Sequence, residues 1–290
     1  MYDSIEEICL KEEQLGIPFW KLVQKDDCNE RAVSEDDAFK EMLSMYSAMK
    51  DSDAGYDKKQ KSNSGLVGGE AAKLHEYMAS GKSTVGDFVG LVMEKALKIA
   101  ENNACMKRIV AAPTAGSCGV VPAVFLSLQE KYGYSDEKMV EALYVAAGVG
   151  GVIACRASLA GAEGGCQAEI GAASSMAAAG MVYLLGGNGR QIGNGAALAL
   201  KNLLGLACDP VAGLVEVPCV KRNVCGAVNA VTSAELTMAG IESRIPSDEV
   251  FDAMNLIGKS MSPTIKETGL GGLAATPTGV TIKEKMEDRA

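Results

Sequence analysis

Three cysteines stand where the chain breaks regular structure: Cys166 in Glu-Gly-Gly-Cys-Gln (163–167), Cys208 in Cys-Asp-Pro-Val-Ala-Gly (208–213) and Cys219 in Val-Glu-Val-Pro-Cys (215–219). A buried structural cysteine behaves as a small apolar filler. Thiols beside Gly164, Gly165, Pro210 and Pro218 are instead held at turns, where a sulfur can point into a gap and act as a ligand. Three thiolates without a fourth suit an iron–sulfur cluster with one iron left open, and an open iron is a Lewis acid. The competing reading is three buried, inert thiols. Spacing alone does not decide, because nine cysteines allow many triads. No Cys-x-x-Cys occurs, which removes the common zinc and ferredoxin patterns. Cys9, Cys28, Cys105, Cys155 and Cys225 read as structural; Cys118, after Gly116-Ser117, is ambiguous.

Two small-residue turns come next. Ser62-Asn63-Ser64-Gly65-Leu66-Val67-Gly68-Gly69-Glu70 runs directly into a helix. Backbone N–H groups at a helix start, joined by hydroxyls, bind anions such as carboxylates. Ser62, Ser64, Gly65 and Gly69 are therefore candidate substrate contacts, with a flexible loop and a helix cap as the alternative. Ala112-Pro113-Thr114-Ala115-Gly116-Ser117-Cys118-Gly119 makes a second such turn, with Thr114 and Ser117 as candidates against an ordinary Pro/Gly connection. Glu163, Gln167, Asp209 and Glu216 flank the cysteines and could tune them from behind, with helix capping as the competing role. His75 is the single histidine, so a general base that must be histidine is His75 or lies on another chain. A lone helical histidine reads first as a surface or packing residue. Gly81-Lys82-Ser83-Thr84 imitates the end of a phosphate loop, but Glu76 occupies its first glycine position and no strand precedes it. Gly269-Leu270-Gly271-Gly272-Leu273-Ala274 leaves no room for a βαβ unit. No pyridoxal phosphate lysine motif stands in an α/β context, and that cofactor is not expected.

The elements that must carry these residues are helical. Ser4-Ile5-Glu6-Glu7 reads as a capping box. Residues 35–49 put Ala38, Met42, Met45 and Met49 on one face, and 84–104 put Val85, Phe88, Val89, Val92, Ala96 and Ile99 on another. Between them, 51–69 is a polar connection that gives way to a helix near 70–80. Arg108 to Ala112 suggests a brief strand or an extended lead-in. Further helices are expected at 118–132, 136–160, 167–186, 190–205, 221–241 and 247–260. Residues 170–187 carry no charge, but Ala, Gly and Ser dominate, so the segment fits the centre of a bundle better than a membrane span. The expectation is an all-α chain: one large helical domain over 1–290 with Gly-rich functional loops and an acidic helical region at 1–60.

Composition narrows the class. Hydrophobic residues make up 48% of 290 but aromatics only 5%, with 33 glycines, so the core must be built from small residues in close approach. A net charge of −9 disfavours nucleic acid and anionic membrane as partners. The acidic N-terminus has no signal-peptide core, so a reducing cytoplasm with free or metal-bound thiols is expected.

Five ordered stretches, SGLVGGEAAKL (64–74), APTAGSCGVVPAV (112–124), AGAEGGCQAEIG (160–171), KNLLGLACDPVAGLVEVPCVKRN (201–223) and ETGLGGLAATPTG (267–279), resemble the iron–sulfur-dependent L-serine dehydratases, specifically the α chain of the two-chain type. The resemblance runs from about Ser62 to Gly279. It implies a largely helical fold, a [4Fe–4S] cluster on Cys166, Cys208 and Cys219, and a substrate near 62–69 and 113–117. The implied reaction takes L-serine to pyruvate and ammonia. Two departures matter. Some single-chain relatives carry a C-terminal cysteine as a fourth ligand, whereas this chain ends Glu-Asp-Arg-Ala. The family's proposed catalytic histidines belong to a β chain, so a β-chain partner, in a heterodimer or larger assembly, is implied for full activity. The alternatives are a cluster lyase for threonine or cysteine, and a non-catalytic partner whose thiols are structural. Electron transfer fits less well, since carriers usually saturate their clusters.

Overall fold

The chain is described as a computed structural model over residues 2–288. Met1, Arg289 and Ala290 lie outside the described residues, so the last two residues of the cysteine-free tail are among those left out. Helix α1 (Ile5–Leu15) opens at Ser4, whose Oγ accepts the Glu7 N–H at 3.0 Å, and closes at Gly16 with φ 65°. Glu7 does not complete a capping box; its carboxylate pairs with Lys11 instead. Helices α2 (Phe19–Arg31) and α3 (Glu35–Ala54) follow, then α4 (Glu70–Ala79), α5 (Asp87–Ala104), α6 (Val120–Tyr132), α7 (Asp136–Arg156) and the single turn α8 (Gly161–Gly164). The second half holds α9 (Ala172–Leu184), α10 (Gly189–Lys201), α11 (Cys219–Met238), α12 (Ser247–Ser260) and α13 (Pro277–Glu287). Among the described residues there is no strand, only an isolated bridge between Cys208 and Lys266. The protein is all-α.

Helix α9 is the centre. Every residue of it except Tyr183 is buried, and α6, α7, α10 and α11 pack around it. Small side chains make that possible: a Cβ on Gly180 would stand 2.2 Å from the Phe125 ring. The buried hydroxyls of Ser174 and Ser175 donate to the Gly226 and Ala196 carbonyls of the flanking helices, at 2.8 and 2.9 Å, so no polar group on this helix is stranded in the core at these positions. Helix α7 is long and apolar enough to cross a membrane, but two thirds of that stretch (67%) is buried in the bundle.

Other local expectations change as well. The helix over 136–160 ends at Arg156, and the one expected over 167–186 begins as a π-helical turn, Gln167–Gly171, before α9. Residues 108–112 form no strand. Met45 and Val85 are exposed. On α3 the buried set is Ala38, Tyr46, Ala48, Met49 and Ser52, which excludes Met45. Val85 precedes α5, which starts only after Gly86 at φ 71°.

Candidate metal centre

Cys166 sits at the start of the π-turn, after Gly165 at φ 75°. A side chain at 165 would strike the Leu206 carbonyl at 2.9 Å and the Met261 methyl at 2.6 Å, so glycine is required there. Gln167 fixes this turn to the approach to Cys208. Its N–H donates to Leu206 O, its Oε1 accepts from Gly205 N–H at 2.9 Å, and its Nε2 donates to Met254 O on α12 at 3.0 Å. Cys208 is held by its backbone: its N–H donates to Ile265 O and its carbonyl accepts from Glu267 N–H, both at 2.8 Å. Cys219 is the first residue of α11, reached through a cis Val217–Pro218 bond. Asn223, 1% exposed, ties Cys219 to the 112–119 turn: its Nδ2 donates to the carbonyls of Cys219 and Gly116, and its Oδ1 accepts from Gly119 N–H.

These braces carry the three cysteine-bearing segments into one region of the protein. The Cys166 and Cys208 thiols act on one another, and Cys219 lies close enough to feel the charge of Cys166. The Cys208 thiol pulls that of Cys166 below its ordinary range, against the pull of burial. The neighbouring Cys166, with burial behind it, pushes the Cys208 thiol up. Burial pushes Cys219 up to about 12. The Cys208 thiol donates to Glu169 Oε2 at 3.6 Å. Arg222, one turn along α11 from Cys219, pairs with Asp209 at 2.8 Å and donates to Ala207 O at 2.7 Å. Its positive charge acts on both Cys166 and Cys219.

The donor chemistry fits a soft, iron–sulfur type of group: three thiols, a guanidinium to offset thiolate charge, and no histidine. No three His, Cys, Asp or Glu side chains among the described residues close tightly enough to chelate a single ion. Donors arranged around a multi-atom cluster stand wider than that. Cys118 is not part of the set; its sulfur faces the Ile99 carbonyl at 4.0 Å, and burial pushes its thiol up to about 12. Cys9 and Cys28 are buried, Cys105 is half-buried, and Cys155 and Cys225 are exposed.

The two turns are placed unequally. Thr114 reaches the cysteines through Glu169, donating to Oε1 at 2.8 Å. Ser117 is wholly buried and bonds back to Thr114. Ser62 and Ser64 both donate to one oxygen of buried Glu216, two residues before Pro218, with Ser62 at 2.8 Å. Their hydroxyls therefore hold the strap that carries Cys219. The N-terminus of α4, the expected anion site, is filled by a carboxylate of the chain itself. Glu101 accepts from Gly69, Glu70 and Ala71 N–H at 2.7–2.9 Å and from the Tyr56 hydroxyl at 3.1 Å. Gly65 and Gly69 take the left-handed conformation the turn needs, φ 79° and 78°. His75 is exposed and pairs with Glu94 at 2.9 Å, in a surface hollow with Tyr56, Lys58 and Lys98 and without any of the three cysteines. Of the residues flanking the cysteines, Gln167, Asp209 and Glu216 brace their backbones, while Glu163 lies exposed.

Glu169, Arg222, Asn223 and Glu101 are functional neighbours that sequence reasoning missed. The first three lie inside motif stretches, but Glu169 meets Cys208 39 residues away, Asn223 meets Gly116 107 residues away, and Arg222 meets Asp209 across the turn between Cys208 and Cys219. Burial pushes the Glu169 carboxyl above its usual range, with Glu267 adding to the effect and Thr114 opposing it. A cavity of about 310 Å³ lined by Val23, Met42 and Tyr144 lies in the acidic N-terminal region and holds none of these cysteines.

Residues 14–274 match the family model described as serine dehydratase alpha chain. The chain is 46% identical, over 99% of its length and 95% of the relative's, to a protein of Bacillus subtilis (strain 168) named probable L-serine dehydratase, alpha chain. It is 41% identical to the L-serine dehydratase, alpha chain, of Peptoniphilus asaccharolyticus, over 98% of this chain and 97% of that one. It is 44% identical to the L-serine dehydratase TdcG of Escherichia coli (strain K12) over 62% of this chain but only 40% of that one.

Proposed function

The chain belongs to the serine dehydratase alpha chain family, and from that premise we propose that it catalyses the deamination of L-serine to pyruvate and ammonia, using a [4Fe–4S] cluster held by Cys166, Cys208 and Cys219. The observation that carries the reading is the bracing of three cysteine-bearing segments around Arg222, which stands one turn from Cys219 and pairs with Asp209 beside Cys208. When bound, such a cluster supplies an iron with no protein ligand, a Lewis acid able to make the serine hydroxyl a better leaving group.

The chain's own residues do the rest. Gln167, Asn223 and the 265–267 strap hold the three thiols in place. Arg222 offsets thiolate charge. Thr114, half-buried, is tied to the Cys208 side of the centre through Glu169, where its hydroxyl can orient an amino acid. Loss of the α-proton and the β-hydroxyl gives aminoacrylate and water; tautomerisation to the imine and hydrolysis, which consumes one water, yield pyruvate and ammonia. The α-proton needs a base, and His75 sits in a hollow apart from the thiols. We assign the base to a β chain. In support, two relatives are named alpha chains, and the matched region makes up only 40% of the E. coli protein. The remaining proposals are a single catalytic domain over 1–290 and residence in a reducing cytoplasm, which would keep the nine free cysteines reduced.

The test is pyruvate release by the anaerobically purified chain, iron-loaded and combined with its β chain, on L-serine, L-threonine and L-cysteine. Pyruvate from L-serine with the highest kcat/KM supports the proposal. An iron-loaded complex that releases no pyruvate from L-serine overturns it, and higher kcat/KM on threonine or cysteine moves the substrate assignment.

A further inference from the structure

The π-turn Gln167–Gly171 puts a carboxylate three residues after Cys166, and its two oxygens reach two other parts of the centre. Oε1 of Glu169 accepts from Thr114 Oγ1 at 2.8 Å, and Oε2 stands 3.6 Å from Cys208 Sγ. π-turns insert an extra residue into a helix and recur where a side chain must be re-aimed at a functional site. The space around this carboxylate is closed on two sides. A Cβ on Gly116 would stand 3.0 Å from Oε1, and one on Gly161 would stand 2.7 Å from Oε2 and 3.1 Å from Cys208 Sγ. Neither glycine has a positive φ, so close approach, and not backbone conformation, accounts for glycine at both positions.

We propose that Glu169 is the positioning residue of the metal centre: wedged between the 112–119 turn and α8, it fixes where the Cys208 sulfur stands. This rests on the cluster reading above. Cys208 loses its thiol proton on binding metal, so its hydrogen bond to Oε2 belongs to the metal-free chain. The wedge against Gly116 and Gly161, and the bond from Thr114, do not depend on that proton. Residues that orient metal ligands without touching metal typically change affinity by about 10–100-fold.

The test loads wild type, Glu169→Ala, Glu169→Gln and Gly116→Ala with iron and sulfide anaerobically, then follows iron release to a ferrous chelator and the cluster absorbance. Glu169→Ala should release iron about tenfold faster or more, while the near-isosteric Glu169→Gln stays within about threefold of wild type. Gly116→Ala, whose added methyl meets this carboxylate first, should also release faster. Combined with Glu169→Ala it should add nothing, since the obstructed group is gone. Thermal unfolding of the metal-free Glu169→Ala and Glu169→Gln chains should agree within a few degrees, which a general structural role would not give. A wild type that holds iron while Glu169→Ala or Gly116→Ala releases it at the wild-type rate overturns this proposal alone. A wild type that takes up no iron overturns the cluster reading and this proposal together. If Glu169→Ala does not fold, Gly116→Ala and Glu169→Gln decide the matter.

Discussion

Glu101→Ala should be among the most damaging substitutions outside the cysteine cluster. The Glu101 side chain is fully buried, and its two oxygens take three backbone N–H groups of the α4 N-terminus and the Tyr56 hydroxyl. Removing it strands those donors. Ala71 is fully buried, so its N–H finds no water, at about 1–3 kcal/mol. Gly69 and Glu70 are half-buried, and part of their loss is recovered by solvent. The lost negative charge at a helix start adds about 1 kcal/mol. The total is about 3–5 kcal/mol. Glu101→Gln keeps an acceptor and loses the charge, for about 1–2 kcal/mol. Urea unfolding of the metal-free variants measures both. The damage should also spread. The 62–69 turn holds Glu216 and through it the strap to Cys219, so Glu101→Ala should open that turn to limited proteolysis and slow iron uptake. A Glu101→Ala chain within about 1 kcal/mol of wild type, or a Glu101→Gln chain as damaged as Glu101→Ala, would refute the reasoning.

Two further outcomes follow from the packing and the charges. Gly180→Ala gains about 1 kcal/mol in helix propensity, yet its methyl meets the Phe125 ring at 2.2 Å, so a net loss of about 1–3 kcal/mol is expected in urea unfolding; stabilisation would contradict the close-packed core. At Glu94, burial raises the carboxyl pKa but hydrogen bonds from Lys98 and His75 outweigh it, leaving the group below its ordinary 4.5. That stabilisation is present above pH 4.5 and is lost as pH falls through the lowered value, so a Glu94→Gln deficit of under about 1 kcal/mol at pH 7 should shrink as the pH falls below 4.5 and be gone once the lowered value is passed; a deficit that grows over that fall would contradict the assignment.

The helices were legible because their signals are local. Apolar spacing, a cap such as Ser4 and a terminating glycine such as Gly16 all lie within one turn of the boundary they set. The uncharged 170–187 segment announced a helix buried on all sides, and α9 is that helix. The breaks in regular structure beside the three cysteines were legible because Gly and Pro mark them. What sequence hid was pairing at a distance. Ser62 and Ser64 read as hydroxyls free for a ligand, but their acceptor, Glu216, lies 154 and 152 residues on. The start of α4 read as an open anion site, but Glu101 fills it from the next helix. Glu169 carried no signal because it stands inside an apparently regular helix, and only the π-turn aims it at Cys208. Gly116 read as part of an ordinary Pro/Gly connection, yet both it and Gly161 are pressed against that carboxylate.

The central claim is that Cys166, Cys208 and Cys219 hold one cluster. The direct measurement is iron and acid-labile sulfide per chain after anaerobic reconstitution of wild type and of single Cys→Ala variants. The account predicts a content close to one four-iron cluster in wild type. That content should fall sharply in Cys166→Ala, Cys208→Ala and Cys219→Ala and stay intact in Cys155→Ala and Cys225→Ala. A folded wild-type chain that takes up no iron, or one whose iron survives loss of any of the three cysteines, would contradict it.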